Sequence, residues 1–251
     1  MMRTGLFGFG RAGKAVASVL LQSKATHLCW VIRKTKTLQH RSVPEFLGVE
    51  SDEPGLIFPL DEWSNQQLFD QQPVDVLIDF SSPDAILSYG EEAARREITI
   101  VSAISEYPDS TIDFIKNIAQ HTRVLWSPNI TIGINFMMLA AKVLLSIAPY
   151  TDVEIIEEHF KAKKETSGTA RRIARALSLP EESIKTIRAG GIVGRHEILV
   201  GFPYQTIRLT HESISREAFG NGALFAAINL VSKPKGLYSM EDLLVPYFNL
   251  Q

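Results

Sequence analysis

The 251-residue sequence has few of the features that mark secreted, membrane or nucleic-acid-binding proteins. Its one cysteine, Cys29, excludes an internal disulfide and a cysteine zinc site, and such usage is typical of a reducing cytoplasm. Lys plus Arg number 26 and Asp plus Glu 28, so the net charge of -2 provides no overall field for nucleic acid or an anionic membrane. Glycines interrupt the start MMRTGLFGFG, where a signal peptide needs a continuous apolar run. These features predict a cytoplasmic protein without a nucleic-acid partner.

Signals for membrane spans, metal sites and hydrolase chemistry are equally scarce. The longest apolar stretch is interrupted by Asn135 and Lys142, which favours a buried helix over a membrane span. Glu157, Glu158 and His159 are contiguous in a predicted strand and cannot converge on one ion, so we expect no metal site. The Gly-x-Ser-x-Gly motif of α/β-hydrolases is absent, so that class has no support.

Strand and helix patterns alternate through the first half of the chain, which is typical of a parallel sheet covered by helices. We expect residues 38–65, rich in prolines and acids, to be an irregular surface excursion. Residues 190–215 hold two β-rich segments turned at Gly201 and Pro203, which predicts antiparallel pairing. The pattern predicts an α/β protein. A Rossmann-type dinucleotide-binding domain would comprise residues 1–126 plus 214–251, and a second, α+β domain with a mixed sheet residues 127–213.

A Gly-x-Gly-x-x-Gly run lies between the first predicted strand and the first predicted helix, the context that such a motif needs to indicate nucleotide binding. Gly8 allows the tight turn, Gly10 lets a pyrophosphate approach the backbone, and Gly13 lets the helix pack on the sheet. The helix N-terminus offers unpaired N–H groups to the phosphates. The predicted cofactor-binding residues here are Gly8, Phe9, Gly10, Arg11, Ala12 and Gly13.

The second predicted strand ends in basic residues, Arg33 and Lys34, with no acid beside them. An acid at this point would select NAD, whereas a guanidinium can bind the 2′-phosphate of NADP. We therefore expect NADPH to be preferred, with NADH possible. A solvated basic loop is the alternative interpretation.

The segment that follows a later predicted strand combines titratable side chains with anion-binding ones. His159 ends the strand, Lys163 lies in the loop, and Ser167, Gly168 and Thr169 open a helix. Hydroxyl groups and backbone donors at a helix N-terminus would hold a carboxylate or phosphate. His159 or Lys163 could deliver a proton there. A structural histidine and a simple helix cap remain the alternative, and the same holds for His196 and His211 in predicted β segments.

Segments over most of the chain resemble the 4-hydroxy-tetrahydrodipicolinate reductase (dihydrodipicolinate reductase) family of diaminopimelate and lysine biosynthesis. They are GFGRAGK at 8–14, DFSSPDA at 79–85, SPNITIGIN at 127–135, EEHFKAKKETSGTA at 157–170, RAGGIVGRHEILVG at 188–201, THESISREAFGNGALFAA at 210–227 and GLYSMEDLL at 236–244. The segment around His159 is the most specific, because glycine-rich dinucleotide turns occur in many oxidoreductases.

The resemblance implies an NAD(P)H-dependent oxidoreductase that reduces a cyclic imine dicarboxylate, 4-hydroxy-tetrahydrodipicolinate, and forms a homotetramer by pairing the sheets of the second domain. It implies proton-transfer roles for His159 and Lys163. Substrate contacts are implied at Phe160, Ser167, Gly168 and Thr169, and contacts near the nicotinamide at Ser102, Ala103, Ile104, Ser127, Asn129 and Ile130.

Phe160 stands where the family usually has a second histidine. Two alternatives therefore remain beside the family reaction. The chain could be a divergent paralogue acting on another amino-acid-derived imine, or a catalytically inactive NADP-binding protein.

Overall fold

The computed structural model describes residues 1–52 and 55–248. The described residues form eleven strands, and the strands are β1 (Met2–Phe7), β2 (Thr26–Arg33), β3 (Leu56–Pro59), β4 (Val76–Asp79), β5 (Thr99–Ser102), β6 (Arg123–Trp126), β7 (Asp152–His159), β8 (Ile184–Arg188), β9 (Arg195–Gly201), β10 (Thr206–Glu212) and β11 (Gly236–Tyr238). The α-helices are α1 (Arg11–Gln22), α2 (Val43–Leu47), α3 (Asn65–Gln71), α4 (Ala85–Arg95), α5 (Asp109–Ile118), α6 (Ile132–Ile147), α7 (Gly168–Ala176), α8 (Glu217–Leu230) and α9 (Met240–Leu244).

The chain divides into two compact units. The first comprises Met1–Thr131 with Phe219–Gln251, and the second Ile132–Ala218. The divisions lie a few residues beyond the predicted ones, at 131 rather than 126 and at 218 rather than 213. The close approach of residue 130 to α8 accounts for the first of these differences, because a β-carbon on Gly222 would lie 1.9 Å from the carbonyl oxygen of Ile130.

The first unit is built on a seven-stranded sheet in the order β11-β6-β5-β4-β1-β2-β3, in which all neighbouring strands pair in parallel. Its central strands are buried throughout, as expected of a parallel sheet with helices on both faces. The strand order reverses direction between β1 and β4, and such a switch point is where open α/β sheets bind their ligands. The Rossmann-type fold is confirmed for this unit.

Close packing near β1 depends on glycine. A β-carbon on Gly5 would lie 2.4 Å from the ring of Trp30, so only glycine leaves room for that fully buried indole. The indole N–H donates to the carbonyl oxygen of Gln72 at 3.0 Å, and the ring stacks on Phe69. This packing joins β1, β2 and α3.

The expectation of a surface excursion at residues 38–65 is wrong. This stretch supplies α2 and β3, and β3 pairs in parallel with β2. Val43, Ile57 and Phe58 are buried there. Pro44 lies in the first turn of α2 and Pro59 ends β3, so these prolines belong to regular elements, and the short apolar run before Pro59 extends the sheet.

The second unit has a four-stranded sheet in the order β10-β9-β7-β8. β7 pairs with β9 antiparallel and with β8 parallel, which confirms the predicted mixed sheet, although sequence analysis did not predict β8. Ile155, Ile198 and Val200 of the sheet pack in one apolar cluster with residues of α6 and α7. Among the described residues, no helix combines the length and apolar content needed to cross a bilayer.

Candidate functional site

The glycine-rich turn after β1 has the geometry of a phosphate-binding loop. Gly8 has a φ of 95°, and a β-carbon there would lie 2.6 Å from the carbonyl oxygen of Phe80. A β-carbon on Gly13 would lie 1.9 Å from the carbonyl oxygen of Gly8, so glycine is required for α1 to begin so close to β1. At Gly10, by contrast, a β-carbon would meet nothing within 4 Å. The turn is therefore tight on its inner side and open where a ligand would approach.

A cavity of about 520 Å³ adjoins this turn at the carboxyl edge of the sheet. Residues after β1, β2, β3 and β4 line it, and they include Gly8, Phe9, Gly10, Arg33, Lys34, Thr35, Leu60, Ser81 and Ser82. Two of the predicted glycines, Gly8 and Gly10, and the predicted cations Arg33 and Lys34 therefore face one cavity. Of the other residues predicted in this turn, Arg11 is exposed, and Ala12 and Gly13 lie in the first turn of α1.

A buried carboxylate organises the loop opposite the glycines. Asp79 ends β4 without solvent exposure and accepts bonds from the Ser81 backbone N–H at 2.8 Å and the Tyr89 hydroxyl at 2.7 Å. Burial raises the pKa of Asp79, although the hydrogen bonds from Ser81 and Tyr89 oppose this shift. Residues 79–85 carry a family motif, but the periodicity of this segment gives no signal of the Asp79–Tyr89 contact. Asp79 fixes the direction in which Phe80 and Ser81 enter the cavity wall.

Two further predicted segments lie side by side after β5 and β6. The Ser127 backbone N–H donates to the carbonyl oxygen of Ser102 at 2.9 Å, and the Trp126 indole N–H donates to that of Ile104 at 2.8 Å. The Ser127 hydroxyl donates to the Asn129 carbonyl at 2.6 Å. The two loops are thus held together at the edge of the sheet where the cavity opens. Ser102, Ile104, Ser127 and Ile130 are buried, and Ala103 and Asn129 are half-buried.

In the second unit, a carboxylate that sequence analysis did not select underlies the predicted catalytic histidine. Glu157 and His159 are two residues apart on β7, so both side chains point to the same face of the sheet. Nδ1 of His159 makes a short contact with Oε2 of Glu157, which has no exposed surface. Period-2 alternation in the predicted strand could have revealed this pair.

Arg188 on β8 contacts the other oxygen of the Glu157 carboxylate. It lies opposite His159 in the β7–β8 register, and its Nη2 donates to Oε1 of Glu157 at 2.5 Å. The guanidinium also donates to the carbonyl oxygens of Lys163 at 2.9 Å and Glu165 at 3.0 Å. Burial acts to raise the pKa of Glu157, but Arg188 and His159 together bring it below its usual value. Arg188 therefore holds both the carboxylate and the loop that carries Lys163.

Ser167 caps α7 and joins this cluster to β9. Its hydroxyl oxygen accepts from the Ala170 backbone N–H at 3.0 Å and lies 2.9 Å from Nε2 of His196. Burial, together with the nearby imidazole of His159, lowers the pKa of His196 to about 4, so His196 is neutral near pH 7. A neutral imidazole donates at one nitrogen and accepts at the other, so the Ser167 hydroxyl and Nε2 of His196 share one hydrogen bond.

The other predicted residues of this segment lie in the loop after β7 and in the first turn of α7. Lys163 is half-buried and Gly168 is exposed at the N-terminus of α7, where Thr169 is half-buried. Phe160 is exposed over 44% of its surface. The structure therefore brings His159, Ser167 and the loop of Lys163 together around Glu157 and Arg188. Among the described residues, no group of three or more His, Cys, Asp or Glu side chains could hold a metal ion.

The fold and cavity of the first unit define a dinucleotide-binding domain. A glycine turn open at Gly10, a helix N-terminus, and a cavity lined by Arg33 and Lys34 fit the phosphates of such a cofactor. The class is that of two-domain oxidoreductases with a Rossmann-type cofactor domain.

Comparison with known proteins identifies the family. The model of "Dihydrodipicolinate reductase, N-terminus" matches residues 2–130, and that of "Dihydrodipicolinate reductase, C-terminus" matches residues 130–244. The 4-hydroxy-tetrahydrodipicolinate reductase of Caldanaerobacter subterraneus subsp. tengcongensis is 34% identical over 80% of this chain and 88% of its own. That of Syntrophus aciditrophicus is 30% identical over 94% and 96%.

A solved structure of dipicolinate-bound dihydrodipicolinate reductase from Paenisporosarcina sp. TG-14 has a similar fold, with a TM-score of 0.80 at 21% identity over 96% of this chain and 99% of that one. The chain belongs to the dihydrodipicolinate reductase family, as its sequence motifs predicted. It is an oxidoreductase whose first unit binds NAD(P)H.

Proposed function

We propose that the protein reduces the cyclic imine dicarboxylate 4-hydroxy-tetrahydrodipicolinate to tetrahydrodipicolinate, with loss of water, in diaminopimelate and lysine biosynthesis. The observation that carries this proposal is the match of the two family models to residues 2–244. The relatives named for this activity support it, because their similarity to this chain extends over most of their length. We assign cofactor binding to the first unit and substrate binding to the second.

Ser167, Gly168 and Thr169 are proposed to hold a substrate carboxylate. They lie at the N-terminus of α7, a nine-residue helix whose first backbone N–H groups and dipole favour an anion. Lys163 in the adjoining loop would add a cation at the same end of the helix. A small dianion is therefore matched by donors and positive charge from one loop.

His159 and Lys163 are the proposed proton-transfer residues. When bound, NADPH supplies a hydride from C4 of its nicotinamide, and the reduced product must also gain a proton. His159 is 8% exposed at the end of β7, with Nδ1 occupied by Glu157. Its Nε2 is consequently the nitrogen that would exchange a proton.

The preference for NADPH over NADH rests on the basic end of β2. Arg33 and Lys34 line the cavity beside Thr35, and Nη1 of Arg33 donates to the carbonyl oxygen of Thr37 at 2.8 Å. This bond leaves the other guanidinium nitrogens for a 2′-phosphate, which a carboxylate at the same point would repel.

A second candidate function follows from Phe160. Phe160 has an exposed phenyl ring and a backbone carbonyl that accepts from the Lys163 N–H at 3.0 Å. A phenyl ring cannot donate a hydrogen bond, and the loss of one donor changes which substrates a site selects. Reduction of another amino-acid-derived imine is therefore the alternative.

We further propose a homotetramer in the cytoplasm. The face of the second sheet opposite α6 and α7 bears the apolar side chains of Ile156, Leu199 and Ile187, and Ile187 is 45% exposed. On the same face, Arg195 forms ion pairs with both Glu158 and Glu197. Sheet faces with apolar side chains that are left exposed tend to associate. Light scattering at micromolar concentration tests the tetramer, and a monomer at all concentrations would contradict it.

Activity is tested by oxidation of NADPH in the presence of freshly generated 4-hydroxy-tetrahydrodipicolinate. We expect turnover that His159→Ala and Lys163→Ala each reduce by at least 100-fold, the usual range for a lost general acid. NADH as cofactor and a panel of other cyclic imines are the comparison arms. A folded protein that binds NADPH but oxidises it faster with another imine would favour the alternative substrate.

A further inference from the structure

A buried carboxylate, Glu157, lies beneath the predicted catalytic histidine His159. Glu157 is fully buried, and a buried charge is retained only where it is paired and hydrogen-bonded. Its two oxygens have different partners. Oε1 accepts from Arg188 and, at 3.4 Å, from the Ser167 backbone N–H. Oε2 contacts Nδ1 of His159. One oxygen is thus anchored and the other is aimed at the imidazole.

This arrangement determines which ring nitrogen carries the fixed proton. A carboxylate can only accept, so Nδ1 of His159 must be the donor and Nε2 is left for exchange. The space beside Nε2 is kept by Gly194, where a β-carbon would lie 3.1 Å from that nitrogen.

Several other ionisable groups lie near Glu157 and His159. Among all of these groups, Glu157 is the charged one that contacts the His159 imidazole. Arg188 faces the carboxylate from β8, and neutral His196 faces it from β9, where it lies opposite Glu157 in the register. The rings of His159 and His196 are 5.3 Å apart at 77°. His211 lies opposite His196 on β10, and Lys163 lies in the loop that follows β7.

We propose that Glu157, anchored by Arg188, is a positioning residue that holds His159 in the Nδ1-protonated form and stabilises its imidazolium for proton transfer from Nε2. The proposal rests on the proposed function only for the identity of the substrate. In the proton-transfer step the Nε2–H bond breaks and the substrate gains the proton. The neutral imidazole that remains keeps its Nδ1 proton and its bond to Glu157.

The kinetic test uses Glu157→Gln, which preserves volume and removes charge. We expect kcat/KM to fall at least about 10-fold, the lower end of the loss seen when a carboxylate partner of a metal-bound histidine is removed, with NADPH affinity unchanged. Without the carboxylate the imidazolium is less stable. The limb on which activity falls as pH rises should therefore move to lower pH. Glu157→Asp, which restores the charge on a shorter side chain, should recover part of both effects.

The matched control is Glu158→Gln, the next residue of β7, whose side chain pairs with Arg195 instead. It should keep the rate and the pH profile of the unmodified protein. Equal rates and superimposable pH profiles for Glu157→Gln and Glu158→Gln would overturn the proposal.

A spectroscopic test is independent of turnover and leaves the Glu157 carboxylate in place. In protein labelled with ¹⁵N-histidine, the signals lost in His159→Ala identify His159, and at pH 8 we expect its Nδ1 to be protonated. Protonation at Nε2 instead would overturn the proposal. Protonated Nδ1 in a protein that does not reduce 4-hydroxy-tetrahydrodipicolinate would support the positioning role while contradicting the proposed substrate.

Discussion

Arg188 is the cation on which the buried Glu157 depends, so its removal should destabilise the fold in a pH-dependent way. Arg188→Met keeps an unbranched stem and removes all guanidinium bonds, including the 2.5 Å contact with Oε1. Breaking one half of a buried ion pair costs about 3 to 5 kcal/mol, because the remaining charge is left uncompensated. At about 2 to 4 °C per kcal/mol for a chain of this length, the melting temperature should fall by roughly 6 to 20 °C.

The pH dependence of this loss has a definite sign. In the unmodified protein the lowered pKa of Glu157 contributes stability above its usual value of 4.5, and this stability is lost as pH falls through the folded-state pKa. In the variant, burial acts without Arg188 and the pKa of Glu157 rises. The difference in melting temperature should therefore be largest near pH 7 and shrink as pH falls through the raised pKa of Glu157 in the variant.

Calorimetry or circular dichroism between pH 4 and 8 provides the assay, with Arg95→Met as control. Arg95 is an exposed arginine whose pair with Glu92 lies on the surface of α4, where such pairs contribute little. A loss for Arg188→Met no larger than that for Arg95→Met, or one that grows as pH falls, would refute the assignment of Glu157 as a buried anion.

The remaining predictions concern glycines. Gly13→Ala should destabilise the first unit by about 3 kcal/mol or more, because its β-carbon would lie 1.9 Å from the Gly8 carbonyl oxygen. Gly10→Ala, which meets no atom within 4 Å, should leave the melting temperature unchanged and weaken NADPH binding tenfold or more; equal melting temperatures for the two variants would contradict this. Gly194→Ala should reduce kcat about tenfold by crowding Nε2 of His159, with NADPH affinity unchanged. An unaltered kcat would show that catalysis does not depend on open space beside Nε2 of His159.

The parts of the fold that sequence analysis predicted are those with a local pattern. β1 and α1 follow from a short apolar run, a glycine turn and helical spacing, all within 22 residues. β3 was missed because its buried residues, Ile57 and Phe58, stand among prolines and acids, and their partner strand is distant in sequence. β8 was missed because its middle residues are exposed, so it shows no alternation.

The same distinction applies to the candidate sites. The cofactor turn and the His159 segment are continuous in sequence, and their residue types alone suggested their chemistry. Arg188, by contrast, reaches Glu157 only because β7 and β8 pair with His159 opposite Arg188, a register that no single segment encodes. Asp79 and Tyr89 are close in sequence, but their contact depends on the path of the turn between β4 and α4, which residue spacing does not reveal.

The most direct measurement of the central claim follows the hydrogen itself. NADPH carrying two deuterium atoms at C4 of the nicotinamide is incubated with the protein and 4-hydroxy-tetrahydrodipicolinate, and the product is analysed by mass spectrometry. We expect tetrahydrodipicolinate one mass unit heavier than that formed with unlabelled cofactor, and none above background with His159→Ala. Cofactor oxidation without label in the product, or undiminished labelling by His159→Ala, would contradict the account.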